Sequence, residues 1–323
     1  MIAVTGAAGF IGSNIVWQLN RAGREDIIVV DVHATAAGNA NLEPLQYERY
    51  LDKDAFLAWL AAGNAGRLET LYHMGACSST TETDAAYLDE NNFGYTRKLC
   101  ELSLAAGVRF INASSAATYG DGAQGYDDDE DRLDELRPLN LYAKSKQDFD
   151  RWARAAGLLD RIVCLKYFNV FGPNEWHKGD MRSMVCKGYE QIRDKGVVKL
   201  FASDRPEYPD GGQQRDFVYV KDAVDMTIWF ADQPQANGIF NIGSGEAKDW
   251  NRLITAIFTA LGREPAIEYV PMPDHLKGKY QYHTEARMTK LAAAGYDRPQ
   301  TLLEAAVADY VTGHLVPAKH LGS

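Results

Sequence analysis

Three glycines, at positions 6, 9 and 12, separate the apolar run Ile2–Val4 from a stretch, Phe10–Arg21, whose apolar residues recur at helical spacing. A strand, a glycine turn and a helix at the head of a chain leave few folds open. Glycine permits the tight turn and lets backbone approach a pyrophosphate, and the helix N-terminus adds amide donors and a positive dipole end. Gly6, Gly9 and Gly12 are therefore read as a dinucleotide cradle, with a plain strand-to-helix turn as the bland alternative. Asp31 closes the expected second strand, 19 positions after Gly12. An acid there accepts the ribose hydroxyls of NAD and repels the extra phosphate of NADP. Residues 32–48 contain neither Lys nor Arg, so Lys53 is the nearest cation apart from Arg49, and this end of the chain leans toward NAD.

Strand and helix signals alternate through the first half. Strands are expected at Ile2–Thr5, Ile27–Val30, Thr70–His73, Val108–Asn112 and Ile162–Phe168, and helices at Phe10–Arg21, Lys53–Ala62, Asp84–Ala106 and Asn140–Ala155. The pattern predicts an α/β fold, a Rossmann-type doubly wound parallel sheet, with a smaller, mostly C-terminal substrate-binding α/β domain. The second half predicts helices at Met181–Lys195, Val220–Phe230, Trp250–Leu261 and Thr301–His314 and strands at Gly238–Ile242 and Ala266–Val270, with a surface loop at Ser203–Gln214. The nucleotide-binding domain is assigned to 1–168 plus about 216–244, the substrate domain to 169–215 and 245–315, and 316–323 to a mobile tail.

Acidic residues outnumber basic ones 44 to 34, for a net charge of −10, which argues against nucleic acid or an anionic membrane surface as partner. An anionic substrate would need a local cluster of cations. The four cysteines, at 77, 100, 164 and 186, form no C-x-x-C pair, so neither a disulfide framework nor a metal site is expected. Unpaired thiols fit a reducing, cytoplasmic compartment. The N-terminal stretch shows no basic leader and the chain no long apolar segment, so neither a signal peptide nor a membrane span is expected.

Tyr142 and Lys146 form a Tyr-x-x-x-Lys pair in an expected helix, where residues four apart share a face. A nearby ammonium should lower the phenol's pKa and let it exchange protons near neutral pH. Ser115, beyond an expected strand end, sits where such sheets bind ligands and would polarise the same substrate oxygen. The bland readings are a surface Tyr–Lys pair and a serine capping a turn. The glycine loop, the serine and the pair occurring together disfavour both.

These features resemble the extended short-chain dehydrogenase/reductase family. The resemblance runs through Thr5–Gly12, Asn112–Gly120, Tyr142–Lys146, Lys166–Pro173 and Arg215–Asp222. Within it, His73–Glu82, Ser114–Gly120, His177–Gly179 and Leu276–Tyr280 are similar to the ADP-L-glycero-D-manno-heptose 6-epimerase branch, whose members make an activated heptose for lipopolysaccharide cores. The resemblance implies that Tyr142 is the first acid/base, Lys146 its supporting lysine, and Lys178 a second acid/base. It places Phe10, Ile11, Asp31, Val32, Lys53, Gly75, Ala76, Cys77, Ser78, Ser79, Asn92, Lys146, Val170 and Lys178 at cofactor contacts. It places Asn169, Asp180, Lys187, Phe201, Ala202, Ser203, Asp204, Arg215 and Tyr280 at substrate contacts, beside Ser115. It further implies NADP as cofactor with NAD usable, ADP-heptose or a similar nucleotide sugar as substrate, and a homo-oligomer, a pentamer being the state suggested.

The chain departs from that pattern at Asp180, where the family has a small hydroxyl residue, and at Lys187, where it has histidine. The 204–214 loop is longer, and Gly38 stands where a lysine would meet the NADP phosphate. The expected chemistry is oxidation of the sugar carbon, rotation of the flat carbonyl, and return of hydride to its other face, with Tyr142 and Lys178 handling the two protons. Taken without the resemblance, Lys178 reads as a solvated lysine. Arg215 reads equally as a pyrophosphate clamp or as a loop arginine paired with Asp216 or another acid. Other readings are a 4-epimerase or dehydratase of another nucleotide sugar, an ordinary dehydrogenase, and a noncatalytic cofactor sensor. Ala116 and Ala117 stand where the elimination would want an acidic pair, and a sensor has no need of Tyr142 and Lys146.

Overall fold

The computed structural model describes residues 1–32, 39–274 and 280–323. Its strands are β1 (Ile2–Thr5), β2 (Ile27–Asp31), β3 (Arg49–Asp52), β4 (Thr70–His73), β5 (Arg109–Ser115), β6 (Val163–Tyr167), β7 (Asn169–Phe171), β8 (Val198–Phe201), β9 (Gln214–Tyr219), β10 (Gly238–Ile242), β11 (Ala247–Asp249) and β12 (Ile267–Val270). The helices that matter here are α1 (Phe10–Arg21), α2 (Lys53–Trp59), α3 (Ala85–Leu88), α4 (Tyr95–Ala105), α5 (Leu141–Ala155) and α6 (Met184–Lys195). Seven strands form one sheet in the order β10-β6-β5-β4-β1-β2-β3, and every pairing in it is parallel. The order reverses at β1, which places a ligand crevice at the C-terminal edge beside the glycine turn. β1, β4 and β6 are buried along their whole length, as a sheet covered on both faces requires.

Beyond this sheet lie two small ones, β11-β9-β7 and β12-β8. β9 pairs in the first of these, so within the span 216–244 only β10 returns to the large sheet. The edge strand β3 was not expected; its mixed sequence, Arg-Tyr-Leu-Asp, is exposed or half-buried and carries no alternation of its own.

Helix α5 explains itself from sequence. Asn140 caps it by accepting from Ala143 N at 2.8 Å, and Ala143, Lys146, Gln147, Phe149, Asp150 and Ala153 form its buried face. Two ionisable side chains are thus carried inward. The long helix expected over 84–106 is broken into α3 and α4 by a wide turn of π type at Asp89–Gly94, a feature that tends to mark functional positions. The tail is also not free. Leu321 is 2% exposed, its N–H donates to Asn174 Oδ1 at 3.0 Å, and His320 pairs with Asn41 Oδ1 at 2.8 Å. Asn41 in turn donates to Ala8 O at 3.0 Å, so the chain's end is tied to the glycine turn. Nothing in the residues 316–323 alone announces that docking, because its partners lie far away in sequence.

Candidate active site

A cleft of about 970 Å3 opens at the C-terminal edge of the large sheet, against the smaller lobe. Its floor is the glycine turn. A Cβ added at Gly12 would lie 2.1 Å from Gly6 O, and one at Gly6, where φ is +63°, would lie 2.7 Å from Gly75 N. Glycine is therefore dictated by the close approach of β1, α1 and the turn after β4. Asp31 braces the same turn: Oδ2 accepts from Ala8 N at 2.8 Å and Oδ1 from Val32 N at 2.8 Å. Gly9 precedes the first turn of α1 without any side-chain cap, leaving its amides open to an anion.

The wall above β4 is the 75–79 loop. Asn92 holds it from behind, donating to Cys77 O at 3.0 Å and to Ser145 Oγ at 3.0 Å while accepting from Cys77 N at 2.9 Å. Asn92 is thus placed as a brace behind the loop, whereas Gly75, Ala76, Cys77, Ser78 and Ser79 line the cleft. Beneath them a relay fixes a histidine. Gly75 N donates to Thr5 Oγ1 at 3.1 Å, which meets His73 Nδ1 at 2.6 Å. His73 Nε2 meets Thr96 Oγ1 at 2.8 Å, and that hydroxyl gives its proton to Asn92 O at 2.5 Å. Thr96 must then accept from Nε2–H, and in the neutral ring Nδ1 accepts from Thr5. Burial holds its pKa at about 3, helped by the Lys146 charge.

Tyr142, from the first turn of α5, lines the cleft together with Ser115 at the end of β5. Lys146, one turn on, donates to Ala113 O at 2.8 Å, and burial pushes its pKa down to about 8. The expected lowering of the phenol is not what the site does. Burial raises the Tyr142 pKa, and this outweighs the lowering influence of Ser115. Lys178 enters from another element, the short helical turn Trp176–Met181. Its Nζ lies 5.2 Å over the Phe10 ring, and burial lowers its pKa against the opposing pull of Glu175. Glu175 itself is buried, its oxygens accepting from Ser183 N at 2.5 Å and Ser183 Oγ at 2.6 Å.

Of the remaining expected residues, Gly6, Gly9, Phe10, Ile11, Gly12, Asp31, Val32, Lys53, Val170, Asn169 and Lys187 line the cleft. Lys187 donates to Asp180 O at 3.0 Å, with Asp180 outside the lining. Phe201, Ala202, Ser203, Asp204, Arg215 and Tyr280 are not brought to the cleft wall itself. Phe201, Arg215 and Tyr280 belong to an adjoining aromatic patch. The Arg215 guanidinium lies 5.0 Å from the Tyr280 ring centre and 5.8 Å from that of Trp250, and Phe201 meets Tyr280 edge-on at 6.1 Å. Asp216 faces elsewhere, accepting from Ser244, Gly245 and Ala286 N–H groups. Gly38, and residues 276–279 of the Leu276–Tyr280 motif, lie outside the described residues. Met74, Tyr87, Trp250 and Gln281 also line the cleft and were not anticipated. Met74 follows β4 at the ligand edge of the sheet and could have been found by that rule; the others carry no local signal.

The glycine cradle, the Ser115–Tyr142–Lys146 constellation and the parallel sheet define an extended short-chain dehydrogenase/reductase. The family model for the NAD dependent epimerase/dehydratase family matches residues 2–243. The ADP-L-glycero-D-manno-heptose-6-epimerase of Nitratidesulfovibrio vulgaris (strain DP4) is 53% identical over 319 residues, 98% of this chain and 99% of the relative. Among solved structures, the enzyme of that same name from Helicobacter pylori superposes with a TM-score of 0.77 at 26% identity, covering 97% of this chain and 95% of the other. The Thermus thermophilus UDP-glucose 4-epimerase in complex with NAD gives 0.74 at 28% identity, covering 97% and 99%. The chain belongs to the NAD dependent epimerase/dehydratase family and is an isomerase of the epimerase type that uses a nicotinamide dinucleotide. The residues present fit that cofactor: the first turn of α1 has no side-chain cap on its amides, and Gly9, Phe10, Ile11, Asp31 and the 75–79 loop line the cleft around it.

Proposed function

We propose that this protein is an ADP-L-glycero-D-manno-heptose 6-epimerase that inverts C6 of ADP-D-glycero-D-manno-heptose. The observation that carries the reading is that Tyr142 and Lys178, delivered by unrelated elements, line one cleft with the glycine cradle. The 53% identity to the Nitratidesulfovibrio epimerase over almost the whole chain supports the choice of sugar.

The bound nicotinamide supplies the chemistry of taking up a hydride and giving it back. The protein's part is proton handling and orientation. Burial pushes the Tyr142 pKa up and the Lys178 pKa down. One removes the C6 hydroxyl proton. After the flat carbonyl has turned, the other returns a proton to the oxygen in its new position, and the two exchange roles in the reverse direction. Ser115 orients the phenol, and Lys146 supports the ribose beside it.

We further propose NADP as the preferred cofactor, with NAD usable. In the β2–β3 register Asp31 stands opposite Asp52, so Lys53 follows beside the end of β2, where a 2′-phosphate would lie. The Asp31 carboxylate is partly engaged by Ala8 and Val32 N–H groups, which softens its repulsion. Mass spectrometry of the cofactor that copurifies, combined with a product assay on ADP-heptose, tests both statements. Bound NADP and the C6 epimer are expected; bound NAD would reject the preference, and an unchanged heptose would reject the substrate.

A further inference from the structure

Behind the catalytic wall lies a pair of buried charges that the proton chemistry above does not use. Asp150 is 0% exposed and Lys166 1%. Ser114 Oγ donates to Asp150 Oδ2 at 2.7 Å, and Lys166 Nζ stands 3.8 Å from the same oxygen. Lys166 also donates to Thr118 Oγ1 at 2.7 Å and lies 4.5 Å over the Tyr119 ring. Thr118 donates to Ser115 O at 2.8 Å. Ser114 and Lys166 are direct neighbours across β5 and β6. Asp150 follows Lys146 by one turn on the buried face of α5. Its Oδ1 accepts no hydrogen bond among the described residues. Stability alone is a weak reason for such a pair, since a packed apolar pair of similar volume is often as stable or more so. Its placement is a stronger one: it touches Ser114, Thr118 and, through space, Lys146.

We propose that Asp150 and Lys166 are a positioning pair that keeps the Lys146 ammonium charged and holds the Ser114–Ser115 strand end against the helix bearing Tyr142. The inference rests on the reading of Tyr142 and Lys146 as the working pair. The groups facing Lys146 are neutral His73 from β4, Cys77 from the following loop, Cys164 from β6 and Asp150 from its own helix. Burial holds the Cys164 thiol far up, so Asp150 is the carboxylate among them. Burial pushes Asp150 toward its neutral form, and Lys166, Ser114, Lys146 and Cys164 oppose that. Lys166 faces Asp150, Cys164 and Asp128. Tyr119, the remaining ring over Lys166, is held neutral by burial.

The test is the pH profile of kcat for the protein with its cofactor bound. Asp150→Asn removes the charge that raises Lys146, so Lys146 loses its proton at lower pH. The alkaline limb should move toward acid by about 1 unit or more, the scale of a nearby opposite charge. Lys166→Met leaves a lone carboxylate that takes up a proton, so the limb moves in the same direction. The double variant, Asp150→Asn with Lys166→Met, should shift no further than Asp150→Asn alone. A second readout needs no turnover. The fold binds Lys146 with a pKa of about 8 against 10.5 for a free lysine, so thermal stability rises with pH across that window, and in Asp150→Asn the rise should begin at lower pH. Should Asp150→Asn not fold, the double variant, which buries no lone charge, carries the same test. An unmoved alkaline limb, or additive shifts, would overturn the proposal. If Tyr142→Phe retains full turnover, the reading of the site fails instead.

Discussion

Replacing Asn92 by alanine separates a brace from a cofactor contact. The side chain is 1% exposed and makes three bonds that matter: to both backbone groups of Cys77 and to Ser145 Oγ. Ser145 Oγ in turn donates to Tyr142 O at 2.8 Å, so one amide joins the 75–79 loop to the first turn of α5. At about 1 kcal/mol net per bond, the loss is about 3 kcal/mol. An unfolding entropy of ~2.1 cal/mol/K per residue over 323 residues gives ~0.7 kcal/mol/K, so Tm should fall by about 4 °C. The loop is then loose before the cofactor binds and has to be ordered on binding. The same free energy would weaken cofactor affinity by up to about two orders of magnitude. Asn92→Asp keeps the acceptor for Cys77 N but loses both donors and sets a buried carboxyl against Cys77 O, so it should be no milder than Asn92→Ala. Differential scanning fluorimetry with a cofactor titration reads both quantities. A variant with wild-type Tm and weakened cofactor would mean that Asn92 touches the cofactor directly, and a variant normal in both would mean that the loop supports itself.

Four further variants follow from the same geometry. Gly12→Ala would drive a Cβ to 2.1 Å from Gly6 O, so bound cofactor should be lost on purification and Tm lowered; a variant that copurifies with full cofactor would refute the close approach. His73 is neutral in the fold at a pKa of about 3, against 6.5 when free. A base lowered in this way lets the unfolded chain bind more protons, so stability should drop as pH falls from about 6.5 toward 3, at up to ~1.4 kcal/mol per unit. His73→Gln should flatten that slope, and an unchanged slope would remove His73 from the account. Tyr142→Phe should cut kcat by about two orders of magnitude or more, and Lys178→Met should impair epimerisation while the cofactor stays bound; wild-type turnover in either removes that residue from the chemistry.

What the sequence makes legible is what local periodicity encodes. The glycine turn, α1, the strands β1, β4 and β10 and the Asn140-capped α5 follow from patterns within about fifteen residues. What it hides depends on distant partners. Leu321 and His320 look like a free tail until Asn174 and Asn41 meet them. The break at Asp89–Gly94 lies inside an otherwise helical stretch and makes sense only once Asn92 is seen reaching Cys77. The sense of the Tyr142 shift escapes the sequence for a related reason. Spacing places an ammonium one turn away, but it says nothing of how deeply the phenol is buried. Trp250 and Gln281 come to the cleft from a lobe whose short strands have little pattern of their own.

The central claim is that one hydride leaves C6 and returns to C6 from the other side. ADP-D-glycero-D-manno-heptose carrying deuterium at C6, incubated with the purified protein in ordinary water, tests it most directly. The account predicts the C6 epimer with its deuterium retained and no build-up of reduced cofactor; product with the label washed out into solvent would contradict it.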